Sequence, residues 1–199
     1  MVSYITSTQT LSFARKPHPK EEVCGDDGAA WDDPDHTWLV ISDGLGHGAG
    51  AAKATEAALS WITANYSNNL EATVRGCDKA IRHTRGVSLN IARINRSTKA
   101  TDYVSVGANL GWKVQRSGIQ RFAGDSGVVG SGVRNLKTTR VDLDGAGYLV
   151  LASDGLNTTS DVSALYHSTF DGDVSLAEAC LERWTTGKDD SSIFVYRFT

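Results

Sequence analysis

The chain has 199 residues, of which 40% are hydrophobic, 22% are charged and 20 are glycine. That is one globular domain's worth of sequence, enough to bury roughly 70% of the unfolded surface. A formal net charge of −3 excludes a strongly basic nucleic-acid binder, and the balanced composition excludes an acidic disordered tail.

Met1 to Arg15 mixes Ser and Thr with apolar residues and has no continuous apolar run, so it does not read as a signal peptide. No apolar stretch approaches the roughly 20 residues that span a bilayer, so the expected setting is the cytoplasm, with no membrane partner. Cys24, Cys77 and Cys180 are odd in number and far apart, which excludes a disulfide framework and a paired-cysteine metal motif. They read as buried structural thiols.

Gly25-Asp26-Asp27 falls in the first loop. Thr37–Ile41 is a short apolar run, predicted as a buried strand. It ends at Ser42-Asp43-Gly44, inside the glycine-dense turn 42–50. A helix follows, with Ala51, Ala54, Ala58, Trp61 and Ile62 on one face. Leu70, Val74, Cys77, Ile81, Thr84, Ser88 and Ile91 recur at spacings of four and three and predict a second helix. After Asn95 the pattern turns to period two. Tyr103–Val106, Ala108–Val114 and Ile119–Phe122 read as strands, with a hairpin turn at Arg116-Ser117-Gly118. Gly124–Gly132 is a glycine-rich loop, and Leu136–Leu143 alternates as a further strand. Tyr148–Ala152 is a second fully apolar strand, and it ends in the same tripeptide as the first, Ser153-Asp154-Gly155. Ser175-Leu176-Ala177-Glu178 is a capping box opening a helix that buries Ala177, Cys180, Leu181 and Trp184. Asp189-Asp190 precedes the last strand, Ser192–Phe198. Helices and strands are segregated rather than alternating, which predicts an α+β fold with antiparallel sheets.

A single Asp-Gly pair is usually a turn. Ser-Asp-Gly repeated at the ends of the two most apolar strands is different, because carboxylates there sit on rigid scaffold yet face solvent. Hard divalent cations take oxygen ligands and keep several waters. Acidic loops at 26, 43, 154 and 189 therefore suit a two-metal site that activates water for in-line displacement at phosphorus. The histidines (His18, His36, His47, His83 and His167) show no zinc-ligand spacing. Gly44-x-Gly46-x-x-Ala49 imitates a dinucleotide fingerprint but lacks the second strand ending in an acid.

Gly25-Asp26, Asp43-Gly44-Leu45-Gly46-His47-Gly48, Ser153-Asp154-Gly155-Leu156 and Asp189-Asp190-Ser191-Ser192 occur in the order of the motifs of metal-dependent type-2C serine/threonine phosphatases. The chain resembles that family from about residue 22 to 197, and within it the SpoIIE-like branch, among whose members are small stressosome phosphatases of the sigma-B stress pathway. The resemblance implies a four-layer αββα sandwich: two antiparallel β-sheets packed face to face and flanked by helices. It implies a single phosphatase domain over residues 1–199, with no separate sensor. It implies two Mn²⁺ (or Mg²⁺) ions, with Asp43 bridging them, the Gly44 carbonyl binding one, and Asp26, Asp154 and Asp189 completing the shell. A metal-bridging hydroxide would then be the nucleophile, and Asp43 and Asp154 the residues on which catalysis depends. Asp190 reads as a supporting residue and Asp125 as a third-metal position. The implied substrate is a phosphorylated STAS-domain protein, dephosphorylated at serine or threonine by a monomeric enzyme.

Many family members carry His directly after the first Asp-Gly; here that residue is Leu45, and His47 stands two positions further on, where it either donates a proton or caps the following helix. The arginine that docks phosphate in the eukaryotic branch has no evident counterpart, and Arg15, Lys16 and Lys20 are the candidates. Asn157–Phe170 is a candidate substrate-facing flap. Two other functions fit the same motifs: a non-catalytic regulator that binds a phosphoprotein or kinase, and a hydrolase of small phosphate esters.

Overall fold

The computed structural model describes residues 11–157, 162–167 and 175–199. One five-stranded antiparallel sheet has the order β1 (Leu11–Lys16), β10 (Ser191–Phe198), β9 (Gly147–Ala152), β6 (Leu110–Gln115) and β7 (Gly118–Phe122). The other has the order β2 (Asp26–Asp32), β3 (His36–Gly44), β4 (Val87–Asn95), β5 (Ala100–Val106) and β8 (Thr139–Asp142). Helices α1 (Ala49–Asn65) and α2 (Leu70–Ala80) cover the outer face of the second sheet. Helix α4 (Leu176–Trp184) covers the first sheet, and the one-turn α3 (Ala164–His167) brings Leu165 into the same cluster. The result is the αββα sandwich.

The layering explains the two apolar runs. In β3, Leu39 and Ile41 enter the core between the sheets, while Trp38 and Val40 pack under α1 and α2. In β9, Leu149 and Leu151 face the other sheet, while Val150 and Ala152 face α4. A strand covered on both sides has no solvent face, so its sequence is apolar throughout. Asn90 is a polar residue between the sheets: its Nδ2 donates to the Leu110 carbonyl at 2.9 Å, joining the two sheets. The β2–β3 turn is held by Asp33, whose carboxylate accepts from Asp35 N (2.9 Å), His36 N (2.7 Å) and Trp38 Nε1 (2.7 Å).

Two expectations change. The second helix stops at Ala80 rather than running to Ile91. A turn closed by Gly86, at φ +84°, redirects the chain, and Ser88 and Ile91 lie in β4. That strand is buried on both faces, so its apolar residues continued the helical spacing by coincidence. Asp26 and Asp27 are not in a loop; they open β2. The α4 capping box is present: Ser175 Oγ accepts from Glu178 N, and Glu178 Oε2 from Ser175 N. Among the described residues no helix is long and apolar enough to cross a membrane.

Candidate active site

Strand direction brings the acidic motifs together. β2 and β3 are antiparallel, so the start of one lies beside the end of the other, and Asp26 faces Asp43 directly across the pair. β9 and β10 repeat the arrangement in the other sheet. Beyond the end of β9, Ser153 N donates to Ser192 O (3.0 Å) and Ser192 N donates to Ser153 Oγ (2.8 Å). Asp154 and Asp189-Asp190 flank this link. Both pairs stand at one end of the sandwich and feel one another. Burial, then the charges of Asp26, Asp154 and Asp189, hold the Asp43 carboxyl well above the usual carboxylate range. Burial, followed by the Asp189 charge, raises Asp154. Asp26 is raised mainly by burial, with a further contribution from Asp190.

Close backbone approach fixes these positions. A Cβ on Gly44 would run into the Ala51 carbonyl in the first turn of α1. A Cβ on Gly155 would fall on the carbonyl oxygen of Asp190 and 2.5 Å from Ser191 Oγ. Thr55, on α1, donates its hydroxyl to the Gly25 carbonyl (2.7 Å) and accepts from Ser42 Oγ (3.4 Å), pinning the two loops that carry Asp26 and Asp43.

Asp26 is 1% exposed, and neither of its carboxylate oxygens has a close hydrogen-bond partner; Ser153, Ser192 and Asp43 lie near enough only to moderate its rise. Asp190 is also buried: Oδ1 accepts from His18 N (2.7 Å), and Oδ2 has no partner. Buried carboxylate oxygens are normally satisfied, and leaving them bare among like charges is costly. A hard cation at the mouth resolves both problems. Among the described residues, no three His, Cys, Asp or Glu side chains surround an ion unaided. Mg²⁺ and Mn²⁺ bind through few carboxylates and keep water in the rest of the shell. The residues present therefore fit such ions.

The other sequence candidates divide. Asp190 stands behind Asp189, whose Oδ1 accepts the Asp190 N–H at 2.9 Å. Asp125 stands apart: its Oδ2 accepts from Lys137 N (2.8 Å), and its bridge to Val106 puts it three strand spacings from Asp43, about 14 Å. His47 does not cap α1, whose N-cap is Gly48 with no side-chain bond. Its Nδ1 lies 2.6 Å from Glu21 Oε1, and its ring stacks on His18 at 4.6 Å. Arg15 is engaged by Asp27 (3.0 Å) and by the Asp26 carbonyl (3.2 Å). Cys24 is buried, and its thiol is pushed up to about 12 by burial and then by Asp26, which leaves it inert as a nucleophile. Cys77 and Cys180 are likewise buried. A cavity of about 1150 Å³ lies beside the carboxylates rather than over them, with Phe13, Arg15, Cys24, Thr55 and Leu181 in its wall. Half of the proposed flap, residues 158–161 and 168–170, lies outside the described residues. Sequence reasoning missed Thr55, Ser153, Ser192, His18 and Glu21 as site residues. Of these, Ser153, in the repeated tripeptide, and Ser192, in the Asp189-Asp190-Ser191-Ser192 motif, carried a signal.

This architecture and this arrangement of acids define the type-2C phosphatase class, and residues 33–198 match the family described as Stage II sporulation protein E (SpoIIE). The chain belongs to that family. It is 25% identical over 190 residues to the phosphoserine phosphatase RsbX of Bacillus subtilis (strain 168), covering 94% of this chain and 92% of that protein. Among solved structures, RsbX in complex with magnesium superposes with a TM-score of 0.83 at 22% identity, covering 97% of this chain and 98% of that one. A chain of the bacterial stressosome, described as a modular system adapted to control secondary messenger signalling, gives 0.84 at 21% identity over 94% and 97%. The Ser-Thr phosphatase MsPP of Mycobacterium smegmatis, in complex with cacodylate, gives 0.72 at 15% over 96% and 99%. At these identities the structural likeness speaks for the fold.

Proposed function

We infer that this protein is a metal-dependent protein serine/threonine phosphatase of bacterial stress signalling, removing phosphate from phosphoserine or phosphothreonine on STAS-domain proteins. The observation that carries the reading is the buried, unpartnered Asp26 carboxylate facing Asp43, with Asp154 and Asp189 completing an acidic mouth. Asp26, Asp43, Asp154, Asp189 and the Gly44 carbonyl would hold two Mn²⁺ or Mg²⁺ ions. When bound, such ions supply an activated water and neutralise phosphoryl charge for in-line displacement.

The chain's own residues do the positioning. Thr55 holds the Gly25 and Ser42 loops in place, so the Asp26–Asp43 spacing is fixed before substrate arrives. The Ser153–Ser192 link does the same for Asp154 and Asp189. Asp154 lies exposed at the rim, so the site opens outward and suits a phosphorylated segment on the surface of a folded protein. The stressosome neighbour and the RsbX relationship support a STAS-domain substrate and a cytoplasmic setting. The reading takes the enzyme to act as a monomer.

The test is phosphate release from a phosphoserine-bearing STAS-domain protein with 1 mM Mn²⁺. Activity is expected to vanish with excess chelator and to fall by at least a hundredfold in Asp43→Asn and Asp154→Asn. Full activity in chelator, or in either variant, refutes the reading.

A further inference from the structure

The site as described gathers negative charge, and the non-bridging oxygens of a phosphoryl group call for a cation beside it. Arg15, the nearest sequence candidate, is spent on Asp27 and on the Asp26 carbonyl. Lys16 lines the neighbouring cavity instead.

Arg85 is placed differently. It lies in the turn between α2 and β4, exposed, and among the described residues its guanidinium has no carboxylate or carbonyl partner. Yet it is not splayed into solvent. Its Cζ, Nε and Nη2 stand 2.5, 2.7 and 2.7 Å from the place a Cβ on Gly50 would occupy, and Nη1 is 3.3 Å from the corresponding point on Gly46. The guanidinium therefore lies flat on bare backbone at the loop that runs out of Asp43-Gly44. The turn itself is tied to that loop: Leu45 N donates to the Gly86 carbonyl at 3.1 Å, and Gly44 pairs with Val87. Gly46 is two residues past Gly44, so its Cα lies within about 7 Å of the Gly44 Cα. The Glu21 carboxylate, from the β1–β2 connection, lies against the same loop at Gly48 and is already engaged by His47.

We propose that Arg85 is the side chain that docks the substrate's phosphoryl group, its two-pronged guanidinium holding non-bridging oxygens of a phosphate seated against Asp43. An unpaired planar donor fork is the group that matches a phosphate dianion bidentately. Glycine at 46 and 50 is what lets it lie close enough. The inference rests on the phosphatase reading above.

The experiment uses the full chain with 1 mM Mn²⁺ and two substrates, a phosphoserine protein and p-nitrophenyl phosphate. Arg85→Ala is expected to lower kcat/KM about ten- to a hundredfold on both, the range of a lost charged hydrogen bond. The inhibition constant for inorganic phosphate should rise at least fivefold, while the Mn²⁺ concentration giving half activity stays within twofold. Arg85→Lys should recover part of the loss. Gly50→Ala supplies the independent arm: it keeps the arginine but drives a methyl group into its resting place, and alanine favours helix. It should reproduce much of the loss with an unchanged or raised Tm, and add little in the Arg85→Ala background. The proposal is overturned if Arg85→Ala leaves p-nitrophenyl phosphate turnover and phosphate inhibition unchanged, or if the loss is confined to the phosphoprotein. A wild-type protein that releases no phosphate under Mn²⁺ strikes instead at the phosphatase reading.

Discussion

Gly155→Ala is the sharpest probe of how the site is held together. Gly155 sits in the turn three residues beyond β9, and its φ is not in the left-handed region, so the substitution costs nothing in backbone conformation. Its whole effect is steric. The added methyl would land on the Asp190 carbonyl oxygen and 2.5 Å from Ser191 Oγ. Backbone cannot rotate away as a long side chain does, so the 189–191 segment must retreat by about 1 Å or more. Overpacking of this kind costs about 1–3 kcal/mol. For a chain of this size that lowers Tm by about 3–10 °C. The effect on catalysis is larger, because a displacement of about 1 Å in a positioned group costs on the order of a hundredfold in rate. The retreat carries Asp189 and Asp190 away from Asp43 and Asp26. The assay is Mn²⁺-dependent phosphate release at 20 °C, where the variant remains folded by far-UV circular dichroism. The expected result is a hundredfold lower kcat/KM with a raised Mn²⁺ requirement. Activity within threefold of wild type, alongside a lowered Tm, refutes the view that the start of β10 must hold its place for the site to work.

Two further outcomes are expected. If the acidic mouth takes Mn²⁺ at a Kd of about 10 μM, 1 mM Mn²⁺ stabilises the fold by about 2.7 kcal/mol, a Tm rise of about 5–10 °C; thermal melts with and without Mn²⁺ should show this for wild type and not for Asp43→Asn, and an equal rise in both places the metal elsewhere. The second concerns Asp33: burial alone would raise its carboxyl, but Trp38 Nε1–H and the Asp35 and His36 N–H groups outweigh it and hold the value at about 2. A folded value below the unfolded 3.8 means stability that is present above pH 4 and lost as pH falls through 2, about 2 kcal/mol in all. Urea unfolding of wild type and Asp33→Asn should therefore differ by about that amount at pH 7 and converge near pH 2, whereas a gap constant with pH contradicts the assignment.

What the sequence disclosed and what it hid follow from the same layering. β3 and β9 announced themselves because helices cover one face and the opposite sheet the other, leaving no polar alternation to confuse. Their ends announced the acids, since Ser-Asp-Gly recurs where both strands run out. β1 and β2 stayed hidden because they are edge strands, partly exposed and carrying residues such as Arg15 and Asp27 that elsewhere mark loops. β4 was mistaken for helix because a strand buried on both faces puts apolar residues at every spacing, three and four included. Thr55 lies 30 residues from Gly25, and Arg85 lies 35 from Gly50. Contacts of that separation arise only when helices dock on the sheet, and no local pattern encodes them.

The acids are shared equally between the two sheets: Asp26 and Asp43 belong to one, Asp154 and Asp189 to the other. Neither sheet alone presents more than half a site. On the proposed ligand set, a nascent or partly opened chain, even with every strand of one sheet paired, would be catalytically silent, and phosphatase output would switch on only with the final docking step. Activity per molecule would thereby be an all-or-none report of tertiary closure, and damaged or half-folded copies would strip no phosphate.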